Sequence, residues 1–280
     1  VRGVISIMLW ALLVYVAVLV ALFVFQRGLM YRPGNSLPSP AETMVPQAQV
    51  RVLQTDMGLA LTSWYVPPEH ENPEHGNKDT SVILYFQGNA GTLADRDFKA
   101  APLAAAGYGV WLTGYRGFGG NPGAPDEQGL YADARAAIKA LAADGVMPAR
   151  IVLYGESLGS GVATQMAYEL AQAGTPVKGL ILEAPFMSMG SAAQDVYFYV
   201  PAKWLVRDHY DNLAKIGSVQ APLLIMHGDA DRVIQPYHGK QLFAAAGALK
   251  SGFWPAGGGH SNLYDFGALN EVLGFLKGLK

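Results

Sequence analysis

Gly155-Glu156-Ser157-Leu158-Gly159 decides how this chain reads. The run fits G-x-S-x-G, and its flanks carry more than the pattern does. Before it, Arg150-Ile151-Val152-Leu153-Tyr154 is short, apolar and β-branched, as a buried strand is. After it, Ser160-Gly161-Val162-Ala163-Thr164-Gln165-Met166-Ala167 begins with small residues and becomes helix-compatible. A strand turning sharply into a helix lifts the serine hydroxyl out at the top of a parallel sheet. The flanking glycines leave room where a Cβ would clash. A surface serine on a chance turn is the plain alternative, and it needs none of this context. Ser157 is the candidate nucleophile.

Outward from this elbow, strand and helix alternate from Ser81 to the end of the chain. Strands are predicted at 81–87, 110–115, 151–155, 180–183, 223–227 and 252–255. Helical runs lie between them, clearest over 126–143, where Ala, Leu and Ile recur at helical spacing. Such alternation implies right-handed crossovers and a mostly parallel sheet covered by helices on both faces. Two further strands, 49–53 and 61–66, read as a leading meander. Residues 41–280 form one predicted domain. Met187 to Tyr210, with Tyr197, Phe198, Tyr199 and Trp204, interrupts the alternation and reads equally as a lid or as two short core helices.

The chain opens differently. Val4 to Phe25 is 22 residues without a charge and apolar except for Ser6. At about 1.5 Å per residue it matches the roughly 30 Å hydrocarbon core of a bilayer. A cleaved signal peptide is the rival reading, but Phe23-Val24-Phe25 is a poor cleavage context and no small-x-small site follows. Residues 1–27 are read as a retained transmembrane anchor and 28–40, rich in Pro, Gly and Ser, as a linker. Arg2 on one side and Arg27 and Arg32 on the other nearly balance, so charge does not decide the facing.

Composition narrows the function. Across 280 residues the net charge is −2 and only 15% are charged, with no basic stripe, which argues against a nucleic-acid partner. With no cysteine there is no thiol nucleophile and no Cys-ligated zinc. His70 and His75 sit among glutamates in the polar stretch 67–79. Five residues apart with Pro73 between, they cannot share a helical face as metal ligands, and the stretch reads as a solvated hairpin loop.

A serine hydroxyl needs a base to take its proton and a carboxylate to orient that base. Of six histidines, His70 and His75 lie in the polar loop and His209 in the possible lid. His238 follows Pro236-Tyr237 at a helix start, on a surface face by this reading, and His227 ends a strand as a structural residue. His260, in Gly257-Gly258-Gly259-His260 after the last predicted strand, is the candidate base. The acid belongs between serine and histidine. Asp229 and Asp231 follow the strand ending at His227, Glu183 is a third candidate, and Asp231 is favoured. Two backbone N–H donors should stabilise the developing oxyanion. One is Leu158, and the other comes from Gly88-Asn89-Ala90-Gly91, with Asn89 the candidate.

These features resemble the α/β-hydrolase superfamily, and within it the membrane-anchored abhydrolase-domain serine hydrolases. The resemblance rests on Tyr31-Arg32-Pro33, Gly88-Asn89-Ala90-Gly91, Gly114-Tyr115-Arg116-Gly117-Phe118-Gly119-Gly120 with Pro122-Gly123, the Ser157 elbow, His227-Gly228-x-x-Asp231 and His260. It implies an α/β-hydrolase fold preceded by one transmembrane helix, with Ser157 as nucleophile, Asp231 as acid and His260 as base. Two positions depart from the pattern: Gln87 stands where the family commonly has histidine, and Gln235 separates Val233-Ile234 from Pro236. The implied activity is cleavage of an ester, thioester or related acyl bond, on a small acyl ester or lipid-like substrate, with no metal or organic cofactor. A serine peptidase on the same triad is the enzymatic alternative, and a non-catalytic membrane-tethered binding module is the alternative from another class. The resemblance also tilts the domain towards the periplasmic or luminal side. Because the strands and the candidate triad all follow Arg32, removing residues 1–27 is expected to release a soluble and active domain.

Overall fold

The computed structural model describes residues 2–68, 80–247 and 249–279. His70 and His75, with the hairpin and metal readings attached to them, lie outside the described residues. Among the described residues the main sheet has eight strands: β1 (Gln49–Gln54), β2 (Ala60–Val66), β3 (Val82–Phe86), β4 (Gly109–Leu112), β5 (Ile151–Glu156), β6 (Gly179–Glu183), β7 (Leu223–Met226) and β8 (Lys250–Phe253). Their order across the sheet is β1-β2-β4-β3-β5-β6-β7-β8. β2 is antiparallel to β1 and β4, and every other pairing is parallel.

The helices are α1 (Arg2–Met30), α2 (Asp97–Ala105), α3 (Glu127–Ala143), α4 (Leu158–Gln172), α5 (Met189–Val196), α6 (Ala202–Leu205), α7 (Leu213–Ile216), α8 (Tyr237–Ala245) and α9 (Ala268–Gly278). The central strands are buried on both sides, so their side chains divide by parity into two cores. Leu84, Leu153, Leu180 and Ile225 point to the face covered by α3 and α4. Ile83, Val152, Ile181 and Leu224 point to the face covered by α2 and α9. On α3, Leu130, Ala134, Ala137 and Leu141 are buried at helical spacing, and its start is capped by Asp126, whose carboxylate accepts from Gly129 N at 2.7 Å. Each such fully buried Leu or Ile contributes about 1.5–3 kcal/mol.

This parallel arrangement places the carboxyl ends of β3, β5, β6 and β7 along one edge, where the loops carrying the candidate site emerge. α1 stands apart from both cores. It continues to Met30, past the 27/28 division drawn from composition, and Arg32–Pro33 then pairs in parallel with Ala90–Gly91. Its large apolar side chains are mostly exposed, and none of its residues is fully buried.

Candidate active site

β5 ends at Glu156 and α4 begins at Leu158, so Ser157 is the single residue of the turn between them. Its backbone has φ 49° and ψ −113°, a positive φ that a residue with a Cβ rarely adopts. The turn is held by its neighbours. A Cβ on Gly155 would run into the backbone of Gly159 and Ser160, and one on Gly159 into the carbonyls of Phe86 and Gln87. The Ser157 amide donates to the Glu183 carbonyl at 2.9 Å, which anchors the elbow to β6.

Asp231 and His260 come from the loops after β7 and β8. A Cβ on Gly228 would strike the Gly258 backbone, so the two loops lie against each other. Asp231 is buried. Its Oδ1 accepts from the amides of Val233 at 2.8 Å and Ile234 at 3.0 Å, while its Oδ2 lies 2.7 Å from His260 Nδ1. His260 Nε2 lies 2.9 Å from Ser157 Oγ. With Nδ1–H donated to the carboxylate, Nε2 is free to accept the serine proton. Burial would raise the Asp231 pKa, but hydrogen bonds from His227 and His260 outweigh it and hold the carboxyl well below the usual range. The structure thus brings Ser157, His260 and Asp231 together. Asp229 instead accepts from Gly257 N, and Glu183 is committed to a separate cluster.

Leu158, as the first residue of α4, has no intrahelical acceptor for its N–H. Asn89 faces the same cavity. Its carbonyl accepts from Arg32 N at 2.8 Å and its side chain donates to Met30 O at 2.6 Å, so this loop is fixed to the end of α1. Donors in these two positions can serve an oxyanion above Ser157.

Sequence reasoning missed three sets of residues. The first is a buried ion cluster beneath the elbow. Lys99 Nζ lies 3.0 Å from Glu156 Oε2 and 2.9 Å from Glu183 Oε2, Arg96 pairs with Glu156 at 2.9 Å, and Tyr85 and Tyr154 donate to Glu156 and Glu183. Burial favours the neutral Glu156 acid, but Lys99 and Arg96 outweigh it and hold its pKa at about 2. Nothing in an ordinary amphipathic helix such as α2 advertised Lys99.

The second set concerns histidines. His238 does not face solvent. It is fully buried, accepts from Met187 N at 3.2 Å and meets Asp195 at 2.9 Å through Nε2. Starting a helix exposes a residue's backbone, not its side chain, and here the ring turns inward under α5. Burial lowers its pKa against the opposing pull of Asp195.

The third set joins α1 to the segment over the serine. α5 and α6 are two short helices, and they also roof the cavity above Ser157. That cavity has a volume of about 230 Å³ and is lined by Met189, Val196, Val200 and Leu205 from the roof and by Leu22 and Phe23 from α1, among others. Arg27 makes a bidentate pair with Asp208, at 2.8 Å for both bonds. Tyr31 reaches Asp208 at 3.2 Å and shares a 2.9 Å hydrogen bond with Tyr210.

Sheet order, elbow and the Ser157–His260–Asp231 arrangement define the class of protein, an α/β-hydrolase. Residues 78–213 match the family model described as serine aminopeptidase, S33. An uncharacterized protein of Mycobacterium tuberculosis is 36% identical over 255 residues, covering 90% of this chain and 87% of that one. The lysophosphatidylserine lipase ABHD12 of Danio rerio is 30% identical over 280 aligned residues, covering 88% of this chain and 73% of the relative. Among solved structures, an α/β-hydrolase from Vibrio vulnificus superposes with a TM-score of 0.69 at 22% identity, over 86% of this chain and 88% of that one. A Pyrococcus furiosus esterase gives 0.67 at 16% identity, over 89% and 97%. The chain belongs to the abhydrolase-domain branch of the α/β-hydrolase family, and it is a serine hydrolase.

Proposed function

We propose that this hydrolase is held to a membrane by α1 and cleaves an acyl ester of a single-chain lipid through an acyl-enzyme on Ser157. Residues 41–280 are the catalytic domain in this reading, with 28–40 leading into it. The observation that carries it is His260, bridging Ser157 Oγ at 2.9 Å and Asp231 Oδ2 at 2.7 Å, with Ser157 lining an apolar cavity. Ser157 Oγ attacks the ester carbonyl as His260 Nε2 takes its proton, and Asp231 stabilises the imidazolium. The Leu158 and Asn89 amides stabilise the oxyanion. Collapse breaks the bond to the leaving alcohol, which takes the proton from His260. Water, deprotonated by the same imidazole, then releases the acid and restores Ser157. Every proton in this cycle is carried by those side chains and water.

The apolar lining supports an acyl tail, and the lysophosphatidylserine lipase named among the relatives supports a lysophospholipid as the ester. The peptidase description of the family model gives a second reading. An aminopeptidase needs an acidic partner for the free amine of its substrate, and among the described residues lining the cavity none is Asp or Glu. That favours the ester. α1 supports the anchor, because it is long enough to cross a bilayer and its apolar side chains are exposed along its length. The domain is read as facing the periplasm or lumen, which protease accessibility in intact spheroplasts would check.

An active-site fluorophosphonate tests the reaction. The wild type should be labelled and Ser157→Ala should not, with ester turnover falling to about 10³-fold above the uncatalysed rate. Full turnover in a folded Ser157→Ala protein would remove the nucleophile assignment.

A further inference from the structure

The segment between α5 and the end of α6 has an unusual surface. Phe198 is 81% exposed and Trp204 83%, with Val196 and Tyr199 also exposed, and Lys203 is the only charge from 196 to 206. The charges bounding it turn away. Asp195 is occupied by Tyr237 and His238, and Arg207 lies over the Phe23 ring of α1.

This surface runs alongside α1. Tyr15 donates its hydroxyl to the Tyr199 carbonyl at 3.2 Å, and Gln26 donates to the Leu205 carbonyl at 3.2 Å while accepting from Arg207 N at 2.7 Å. Tyr15 and Gln26 are eleven residues apart, about 16 Å along a helix. That is about half of a 30 Å hydrocarbon core. If Val4–Phe25 spans the bilayer, Gln26 marks the interface, Tyr15 lies near the midplane, and the chain at Tyr199 lies between them, below the headgroups.

A second observation points the same way. Irregular backbone in contact with lipid has no water to satisfy its carbonyls, so protein groups must do it. Here backbone amides serve the Tyr197 and Val200 carbonyls, at 3.1 and 2.8 Å, and side chains add donors. Gln194 reaches the carbonyls of Tyr197 at 3.3 Å and Val200 at 2.9 Å, Tyr15 that of Tyr199 and Gln26 that of Leu205.

We propose that residues 196–206 are immersed in the bilayer beside α1, so that the cavity over Ser157, walled by both, receives its acyl chain sideways from lipid. Lys203 extends to the headgroups as long cationic side chains do near an interface. This rests on the reading of α1 as a membrane span, and the test separates the two.

The chain has no native cysteine, so single cysteines can be labelled with an environment-sensitive dye in the full protein, reconstituted in phosphatidylcholine vesicles. The sites are Phe198→Cys and Trp204→Cys, Leu12→Cys within α1, and Met147→Cys ahead of β5, at the opposite end of the sheet from Ser157. Dyes at 12, 198 and 204 should be blue-shifted and quenched by lipids carrying a nitroxide on the acyl chain, whereas the dye at 147 should be quenched only by aqueous iodide. If 12 is quenched by lipid while 198 and 204 behave like 147, the immersion is overturned and the anchor stands. If 12 also behaves like 147, the anchor reading falls and the immersion with it. Shielding of 198 and 204 from both quenchers would mean that a second copy covers this face, which also overturns the proposal. In turnover, Phe198→Asp and Trp204→Asp should raise the apparent KM for a vesicle-borne lysophospholipid about tenfold while leaving kcat/KM on soluble p-nitrophenyl acetate within about twofold. An unchanged apparent KM would count against immersion.

Discussion

Asp231 Oδ2 lies 2.7 Å from Nδ1 of His260, and the same oxygen is approached at 3.1 Å by Nε2 of the buried His227. His227 Nε2 also meets the Ile234 carbonyl at 2.9 Å, an acceptor that requires the proton on Nε2. His227 therefore fixes the turn carrying Asp231 and donates to the carboxylate, as the two amides on Oδ1 do. With four polar contacts converging on one buried carboxylate, its charge and direction are set before substrate binds.

This separates the aspartates of the loop after β7. Asp231→Asn would present an amide to His260 and favour the wrong imidazole tautomer, so kcat should fall on the order of 10⁴-fold. Asp229 holds the Gly257 amide, and Asp229→Asn should leave kcat within about threefold and mainly lower stability by about 1 kcal/mol. Steady-state kinetics with denaturation curves on both purified variants read the contrast. The reverse pattern would move the orienting role to Asp229.

The ion cluster beneath the elbow gives a pH prediction. Glu156 has its folded pKa lowered from 4.5 to about 2, so its contribution is complete above the unfolded value and is lost as pH falls towards 2. Glu156→Gln removes the charge while Lys99 keeps Glu183 as a partner, so the cost at pH 7 should be about 3 kcal/mol, the low end for a broken buried pair. Between about pH 5 and pH 2 the wild type should progressively lose this advantage and the two urea midpoints should converge. A gap of the same size at pH 7 and pH 3 would mean that Glu156 is not held as a carboxylate.

What the sequence disclosed follows from how local each signal is. The Ser157 elbow is written in five consecutive residues, because the close contacts of Gly155 and Gly159 exclude side chains there. The central strands show themselves because burial on both faces demands unbroken apolar runs. Asp231 and His260 were legible from their place after strands in the order such sites follow. Lys99, by contrast, is a lysine on a helix, and only the fold brings it under Glu156 and Glu183, 57 and 84 residues away. The pairing of Arg27 with Asp208 spans 181 residues, so the end of α1 looked like the start of a linker. His238 was misread because periodicity over one turn of helix gives no direction to a core formed by α5 and Asp195.

That last part of α1 changes what truncation should do. From sequence, removing residues 1–27 leaves an intact domain. In the fold it also removes Leu22, Phe23 and Gln26 from the cavity wall and strips Asp208, whose side chain is 3% exposed, of its guanidinium partner. The truncated domain should still fold around the sheet, since neither core draws on residues 1–27. Its acyl-chain preference should change. Two lost methylene contacts at about 0.8 kcal/mol each amount to roughly a 15-fold fall in kcat/KM for a long-chain ester, with an acetate ester within about twofold. Arg27→Ala in the full chain keeps the wall and removes the pair, so it should lower stability by about 1–3 kcal/mol with the long-to-short ratio intact. Both proteins and the wild type belong in the same detergent, assayed on butyrate and laurate esters of one leaving group. If truncation leaves the laurate-to-butyrate ratio where the full chain has it, α1 is not a wall of the site.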